Sequence, residues 1–341
     1  MRVVYAERFG TPEVLRPDQA PDPAAGPGQA VVRVAAADTL FLDVVIRRGG
    51  PGPWGVRPPY VPGAGIAGEV SSVGAGVDAA WVGRRVVVKS GTGGPRPAVE
   101  TIAQAAARTT PTGGYAEHAV VAEEALVPVP EALGLREAAA LVNDGLTAML
   151  LAEAARVCPG ENVLVTPAGG GLGCLLVQLA RAAGARVFAG AGGSHKCELA
   201  RELGAATAVD YTRQGWAERL REAADGAGMD VVLDGVGGQT GRSSFGLVGS
   251  GGRFVAFGSP SGGFTAVDAQ EAREHGVRVV SILDLEWTPA DERRLPERAL
   301  RAAAEGRIRP VIGQMFPLEN AAEAHAAIEA RKVLGKTLLL P

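Results

Sequence analysis

The stretch Asn162–Gly173, NVLVTPAGGGLG, constrains the fold of this chain more than any other. Val163, Leu164 and Val165 form a short apolar run that reads as a buried strand, and a turn with glycines at 169, 170, 171 and 173 follows it. The apolar pattern of Cys174, Leu175, Val177, Leu179 and Ala182 then predicts a helix packed on a sheet, stopped by Gly184. A strand, a glycine turn and a helix in that order suit a dinucleotide pyrophosphate. Glycines let backbone N–H groups approach the phosphates, and the helix N-terminus faces the negative charge. The same turn also permits close packing of helix on strand, so the residues of the loop leave both readings open.

The pattern on either side differs. Residues 1 to about 36 alternate short β-like runs, RVVYAERF and QAVVRVAAA, with Pro/Gly turns, and GIAGEVSSVG and GRRVVVKS add further strands. Between them lie a short helix over Leu40–Arg48 and the loop GGPGPWGVRPPYVPG. Residues 91–113, rich in Gly, Pro, Thr and Ala, read as an inserted surface loop with a turn or two of helix near Val99–Arg108. From Leu133 helix and strand alternate. Strands are expected at Arg186–Ala189, Ala208–Asp210, Met229–Asp234, Arg253–Phe257 and Val277–Ile282, and helices at Lys196–Leu203 and Trp216–Ala224. Alternating units imply a parallel sheet covered on both faces. The tail adds helices at Leu295–Glu305 and Leu318–Glu329, a strand around Val311 and a last strand KTLLL. The chain therefore reads as α/β, with a nucleotide domain inserted between two pieces of a β-rich one.

At 341 residues two domains are the natural expectation, and 47% hydrophobic with 21% charged residues describes a soluble globular protein. A net charge of −3 provides no electrostatic footprint for nucleic acid or an anionic membrane. No apolar run approaches the roughly 20 residues of a spanning helix, and MRVVYAERFG begins like a strand rather than a signal peptide. Cys158, Cys174 and Cys197 fit neither a disulfide framework nor a zinc cage, so a reducing cytoplasm is expected.

The end of the second nucleotide-domain strand sets which dinucleotide binds, because an NAD site places an Asp or Glu there for the ribose 2′-OH. Here RVFAGAGGSHK has no carboxylate between Phe188 and Lys196. Gly192, Gly193 and Ser194 leave room for a 2′-phosphate, and Lys196 supplies a countercharge. A turn with a solvated lysine has the same composition, but the missing acid favours NADPH.

Several further segments occur in a fixed order: Gly63–Val77, GAGIAGEVSSVGAGV; Gly113–Val121, GGYAEHAVV; Ala139–Glu153, AALVNDGLTAMLLAE; VTPAGGGLG; Gly193–Ala205, GSHKCELARELGA; DVVLDGVGG; GGRFVAFG; and the ending AEAHAAIEARKVLGKTLLL. With them the chain resembles the zinc-independent, zeta-crystallin-like quinone oxidoreductase branch of the medium-chain dehydrogenase/reductase superfamily. The resemblance implies a GroES-like catalytic domain, residues 1–125 and 285–341, and a Rossmann NADPH-binding domain, residues 126–284, with the nicotinamide in a cleft between them. It also implies a homodimer. Gly170, Gly171, Leu172 and Gly173 match the family's pyrophosphate turn, with Pro167 in place of its first small residue. Lys196 matches the lysine that pairs with the 2′-phosphate, and Tyr211 the tyrosine at the adenine ribose, although a strand-end aromatic is an equal reading. Thr147 matches the threonine near the carboxamide, and Phe257 and Gly258 the stretch flanking the ring.

Departures from the family shape the expected chemistry. The Gly-His-Glu signature of zinc-dependent relatives reads Gly63-Ala64-Gly65, and His118, His195, His275 and His325 lack ligand spacing, so no metal is expected. Without a Lewis acid, hydride delivery to a quinone or an α,β-unsaturated carbonyl fits better than ketone reduction, because the charge spreads over an enolate or hydroquinone. A dedicated biosynthetic enoyl reductase and a non-catalytic NADPH-binding protein are the alternatives. The family's Asn-x-x-Asp reads Leu40 and Asp43, leaving Thr39 or Asp38 to take the Asn's part. Trp54 and Tyr60 stand in the loop where enoyl reductases often carry a tyrosine donor, with packing the favoured role for Tyr60. Asn143 and Asp144 are polar where relatives are often apolar, which makes them substrate or ribose candidates, a helix N-cap being the alternative for Asp144. No residue is identifiable as the proton donor.

Overall fold

The computed structural model describes residues 1–50, 54–89, 92–93 and 98–341, with two units, Met1–Leu146 plus Glu286–Pro341 and Thr147–Leu285. In the first unit β1 (Arg2–Ala6) pairs antiparallel with β2 (Leu15–Gln19). β3 (Gln29–Thr39) is the hub, because its eleven residues carry two neighbours on one edge. It leads into α1 (Phe41–Arg47), β4 (Gly65–Val73) and β5 (Arg85–Lys89). β6 (Thr92–Gly93), β7 (Glu100–Thr101), α2 (Ile102–Arg108) and β8 (Thr109–Thr110) come from the inserted segment, and β6 pairs with β8. Parts of the expected loops, residues 51–53, 90–91 and 94–97, lie outside the described residues. β9 (His118–Ala122), β10 (Val127–Pro128), α3 (Leu135–Leu141) and α4 (Asp144–Ala155) follow.

The second unit runs β11 (Asn162–Thr166), α5 (Gly171–Ala182), β12 (Arg186–Ala191), α6 (Ser194–Glu202), β13 (Thr207–Asp210) and α7 (Trp216–Ala223). It continues through β14 (Met229–Asp234), α8 (Gly238–Phe245), β15 (Val248–Ala256), α9 (Ala269–Glu274) and β16 (Arg278–Ser281). Its six strands are all parallel in the order β13-β12-β11-β14-β15-β16. This is the doubly wound Rossmann arrangement, whose strand order reverses between β11 and β14. Burial follows the two-sided cover: β11 is apolar from Val163 to Val165 and fully buried there. Leu164, Phe188, Val232 and Phe254 from four adjacent strands form one core with Trp216, Leu220 and Phe245.

The chain then returns to the first unit through β17 (Glu286–Trp287), α10 (Asp291–Ala304), β18 (Ile312–Pro317), α11 (Ala321–Glu329) and β19 (Lys336–Leu340). The seven-stranded sheet of that unit has the order β10-β5-β4-β3-β19-β18, with β9 also on β3. β4 covers one edge of β3, while β9 takes Gln29–Arg33 and β19 takes Ala37–Thr39 on the other. This β-rich body stands where the resemblance leads one to expect a GroES-like domain. No single helix among the described residues is long and apolar enough to cross a membrane, and α3 with α4 meets that test only as a pair bent by 46°.

Two expectations need correction. The first junction between units falls after Leu146, not after residue 125. The reason is that β10 pairs with β5 and α3 packs on β3, β4 and β19, so residues 126–146 bury their apolar face in the β-rich body. The helix placed at Leu295–Glu305 starts at Asp291, whose carboxylate accepts hydrogen bonds from the Thr288 amide and hydroxyl.

Candidate functional site

In the second unit the glycine turn ends β11 and opens α5. Gly170 is the N-cap, in extended conformation and with no side-chain capping bond, so the first N–H groups of α5 at Gly171, Leu172 and Gly173 lack a side-chain acceptor from the cap. The glycines divide the work that the sequence left open. A Cβ on Gly173 would collide with the Pro167 carbonyl oxygen, which is the close-packing role. A Cβ on Gly170 would meet nothing within 4 Å, so this backbone stands open to a ligand. At Gly169 a Cβ would come within 2.6 Å of Lys196 Cβ, so the lysine stem lies against the turn. Lys196 and the glycine turn, 23 residues or more apart in sequence, therefore form one surface.

The strand end beside them is made of small residues, as expected. β12 finishes at Ala191, Gly193 has φ +95°, and Ser194 begins α6. Tyr211 lies against this bend, its hydroxyl 3.5 Å from where a Cβ on Gly192 would sit, and packs edge-on to Trp216 at 6.5 Å. At the ends of β14 and β15, Phe257 and Gly258 cross Gly235: the Phe257 ring occupies the space a Gly235 side chain would need, and Gly258 packs on the Gly235 carbonyl. Thr147 is half-buried near the start of α4.

A buried carboxylate that the sequence did not single out holds these strand ends together. Asp234, fully buried, accepts hydrogen bonds from Thr265 Oγ1 (2.5 Å), the Val236 amide (3.0 Å), the Gly237 amide (3.3 Å) and Thr166 Oγ1 (3.3 Å). The signal was present, because an Asp closing a strand before Gly-x-Gly is an Asx-turn composition.

In the first unit the candidates near Leu40 fall into two buried polar groups. Leu40 is the N-cap of α1, and its amide donates to Asp43 Oδ2 at 2.8 Å. The Tyr115 hydroxyl reaches Asp43 at 3.4 Å and His325 Nε2 at 2.9 Å. Burial pushes the Asp43 carboxyl up to about 7, against the Leu40 amide and with the like charge of Asp38 adding to the rise. Burial likewise depresses His325 to about 3, aided by Arg47, so the imidazole is neutral. Tyr60 packs on the core of this unit, and its buried hydroxyl finds no hydrogen-bond partner among the described residues. Trp54 is half-buried.

The second group joins Asn143 and Asp144 to two residues distant in sequence. Lys336 Nζ lies 2.7 Å from Asp38 Oδ1 and 3.1 Å from Asp144 Oδ2, and Asn143 Nδ2 donates to Asp38 Oδ2 at 3.0 Å. Burial raises the Asp38 carboxyl, the Lys336 ammonium pulls it back, and Asp144 adds to the rise. The ammonium itself is held above its ordinary value: burial opposes the charge, and Asp144 and Asp38 outweigh it. The Asn143 amide group and the Asp144 carboxylate, read as substrate candidates, are thus engaged inside the protein. Asp38, offered as a stand-in for the missing Asn, is engaged with them. No sequence pattern marks Lys336 as their partner.

Residues 26–131 match the family described as alcohol dehydrogenase GroES-like domain, and residues 203–339 the family described as zinc-binding dehydrogenase. Among the described residues, no group of three or more His, Cys, Asp or Glu could hold a metal ion. The chain is 33% identical to the quinone oxidoreductase of Pseudomonas aeruginosa, covering 100% of this chain and 99% of that protein. It is 32% identical to the 2-haloacrylate reductase of a Burkholderia species, covering 93% and 92%. The solved structure of the Escherichia coli quinone oxidoreductase complexed with NADPH superposes with a TM-score of 0.86 at 27% identity, covering both chains in full.

Proposed function

Since the chain belongs to the quinone oxidoreductase branch of the medium-chain dehydrogenase/reductase superfamily, we propose that it is an NADPH-dependent reductase of quinones or α,β-unsaturated carbonyls that works without a metal. One observation carries the cofactor reading: Lys196 lies against Gly169, beside the open backbone of Gly170 and a carboxylate-free end of β12. NADPH, when bound, supplies the hydride.

The chain's own residues do the rest. The amides of Gly171, Leu172 and Gly173 bind pyrophosphate oxygens, and Gly170 lets the backbone approach them. Lys196 and Ser194 bind the 2′-phosphate, with Gly192, Gly193 and Tyr211 lining that end. Thr147, Phe257 and Gly258 orient the nicotinamide, and Asp234 fixes the strand ends on which Phe257 stands. Leu40, held by Asp43, shapes the substrate side with Trp54 and Tyr60. A conjugated acceptor suits a site with no cluster of metal ligands among the described residues, because ordinary hydrogen bonds suffice for a delocalised enolate or hydroquinone. The name 2-haloacrylate reductase, an activated C=C substrate in a relative, supports the same class.

Two further readings belong to this proposal. The protein is a homodimer, supported by the exposed edge strand β16 with Val279 40% exposed and Leu283 just beyond it. It works in a reducing cytoplasm, supported by three free cysteines of which Cys158 is exposed. The test is oxidation of NADPH and NADH at 340 nm with a panel of quinones, enones and saturated ketones. Turnover with NADPH and the conjugated acceptors is expected. Tight NADPH binding without turnover on any of them, or alcohol oxidation with NAD and added zinc, refutes the proposal.

A further inference from the structure

The acid missing from the end of β12 has a counterpart one strand over. Asp210, the last residue of β13, is in register with Ala191, the last residue of β12, and neighbouring strands lie about 4.8 Å apart. The Tyr211 amide donates to the Ala191 carbonyl at 3.0 Å, so β13 follows β12 to its end. Asp210 Oδ1 accepts from the Thr212 hydroxyl at 2.6 Å and the Thr212 amide at 2.9 Å, and the carboxylate also accepts from the Gly193 amide. Gly193 is the residue of the bend with positive φ, so Asp210 braces the turn that ends in Ser194 and Lys196.

This carboxylate stays charged. Burial pushes its pKa up, but the Thr212 and Gly193 hydrogen bonds and the charge of Arg213 outweigh that and hold it below the ordinary range. Its field extends into the first turn of α6: after burial, Asp210 is the main cause of the raised Cys197 thiol, and Cys197 adjoins Lys196.

We infer that Asp210 is a specificity-determining residue, a fixed negative charge at the bend ahead of Lys196 that limits the preference for a 2′-phosphate and keeps NADH usable. The inference rests on the reading that Gly192–Lys196 receives the adenosine ribose. A 2′-hydroxyl is indifferent to a nearby carboxylate, whereas a phosphate carrying close to two negative charges is repelled by it.

Asp210→Asn separates charge from bracing, because the amide oxygen can still accept from Gly193 and Thr212. Equilibrium dissociation constants for NADPH and NADH are measured by titration of the purified protein, with unfolding temperature as the control. NADPH is expected to bind about fivefold tighter in Asp210→Asn at low salt, the scale of one charge acting on a nearby phosphate dianion through water. NADH should change less than twofold, and the NADPH gain should shrink at 0.5 M salt. Asp210→Ser, a second variant that keeps an acceptor without the charge, should move in the same direction. An unchanged NADPH-to-NADH ratio in both variants, or equal shifts for both nucleotides, overturns the inference. A wild type whose NADPH affinity is insensitive to Lys196→Ala instead overturns the cofactor reading beneath it, so the two failures are distinguishable.

Discussion

Replacing Lys336 with methionine removes the ammonium that sits between Asp38 and Asp144. The side chains are 5%, 0% and 15% exposed, and the two contacts are 2.7 and 3.1 Å, so little solvent is available to take over. Methionine keeps nearly the same length, which leaves the loss electrostatic rather than a matter of cavity volume. Breaking a buried pair by removing one partner costs about 3–5 kcal/mol, a large share of the roughly 5–15 kcal/mol that holds a domain folded. At about 2–4 °C per kcal/mol, the unfolding temperature of the β-rich unit should fall by roughly 6–20 °C. The loss has a pH signature. A carboxyl whose folded pKa lies above its unfolded value binds its proton first in the folded state, so stability rises as pH falls through the folded value. Lys336→Met should raise the Asp38 carboxyl further, and its penalty should therefore be larger at pH 8 than at pH 5. Urea unfolding followed by tryptophan fluorescence, to which Trp81 and Trp287 of this unit contribute, measures it. Adding Asp38→Asn should restore part of the loss. A penalty under about 1 kcal/mol, the range of exposed ion pairs, or one equal at both pH values, would refute the reasoning.

With Asp43 held near 7 in the folded protein, wild-type stability should rise as pH falls from 8 toward 5, by up to about 1.4 kcal/mol per pH unit. Asp43→Asn should flatten that slope, and parallel profiles for the two proteins would contradict the assignment. Gly170→Ala should leave the melting temperature within error yet weaken NADPH binding. Gly173→Ala, blocked by the Pro167 carbonyl, should cost about 1–3 kcal/mol of stability. If both variants bind NADPH normally, the turn is only a packing device. Lys196→Ala should weaken NADPH at least tenfold more than NADH, as charge-assisted phosphate binding requires, and equal losses would remove Lys196 from the 2′-phosphate site.

The sequence by itself determined the elements and the class of fold. Periodicity and glycine placement are local, so the strands from Asn162 to Ser281, the turn at Gly169–Gly173 and the inserted nucleotide domain were legible from neighbouring residues alone. The carboxylate-free stretch after Phe188 was legible for the same reason. Local patterns failed where structure depends on partners far away. Residues 126–146 do not say in sequence which body they join, and the sheet they cover decides it. Asn143 and Asp144 look like free polar groups until Asp38 and Lys336 are brought beside them by the pairing of β19 with β3. Asp43, Tyr115 and His325 likewise meet only when α1, the segment before β9 and α11 come together. Asp210 is one carboxylate among many in the sequence, and only the β12–β13 register places it beside Gly193. Side-chain chemistry is written in the chain, but which charges face one another is set by strand register and burial, and those belong to the tertiary structure.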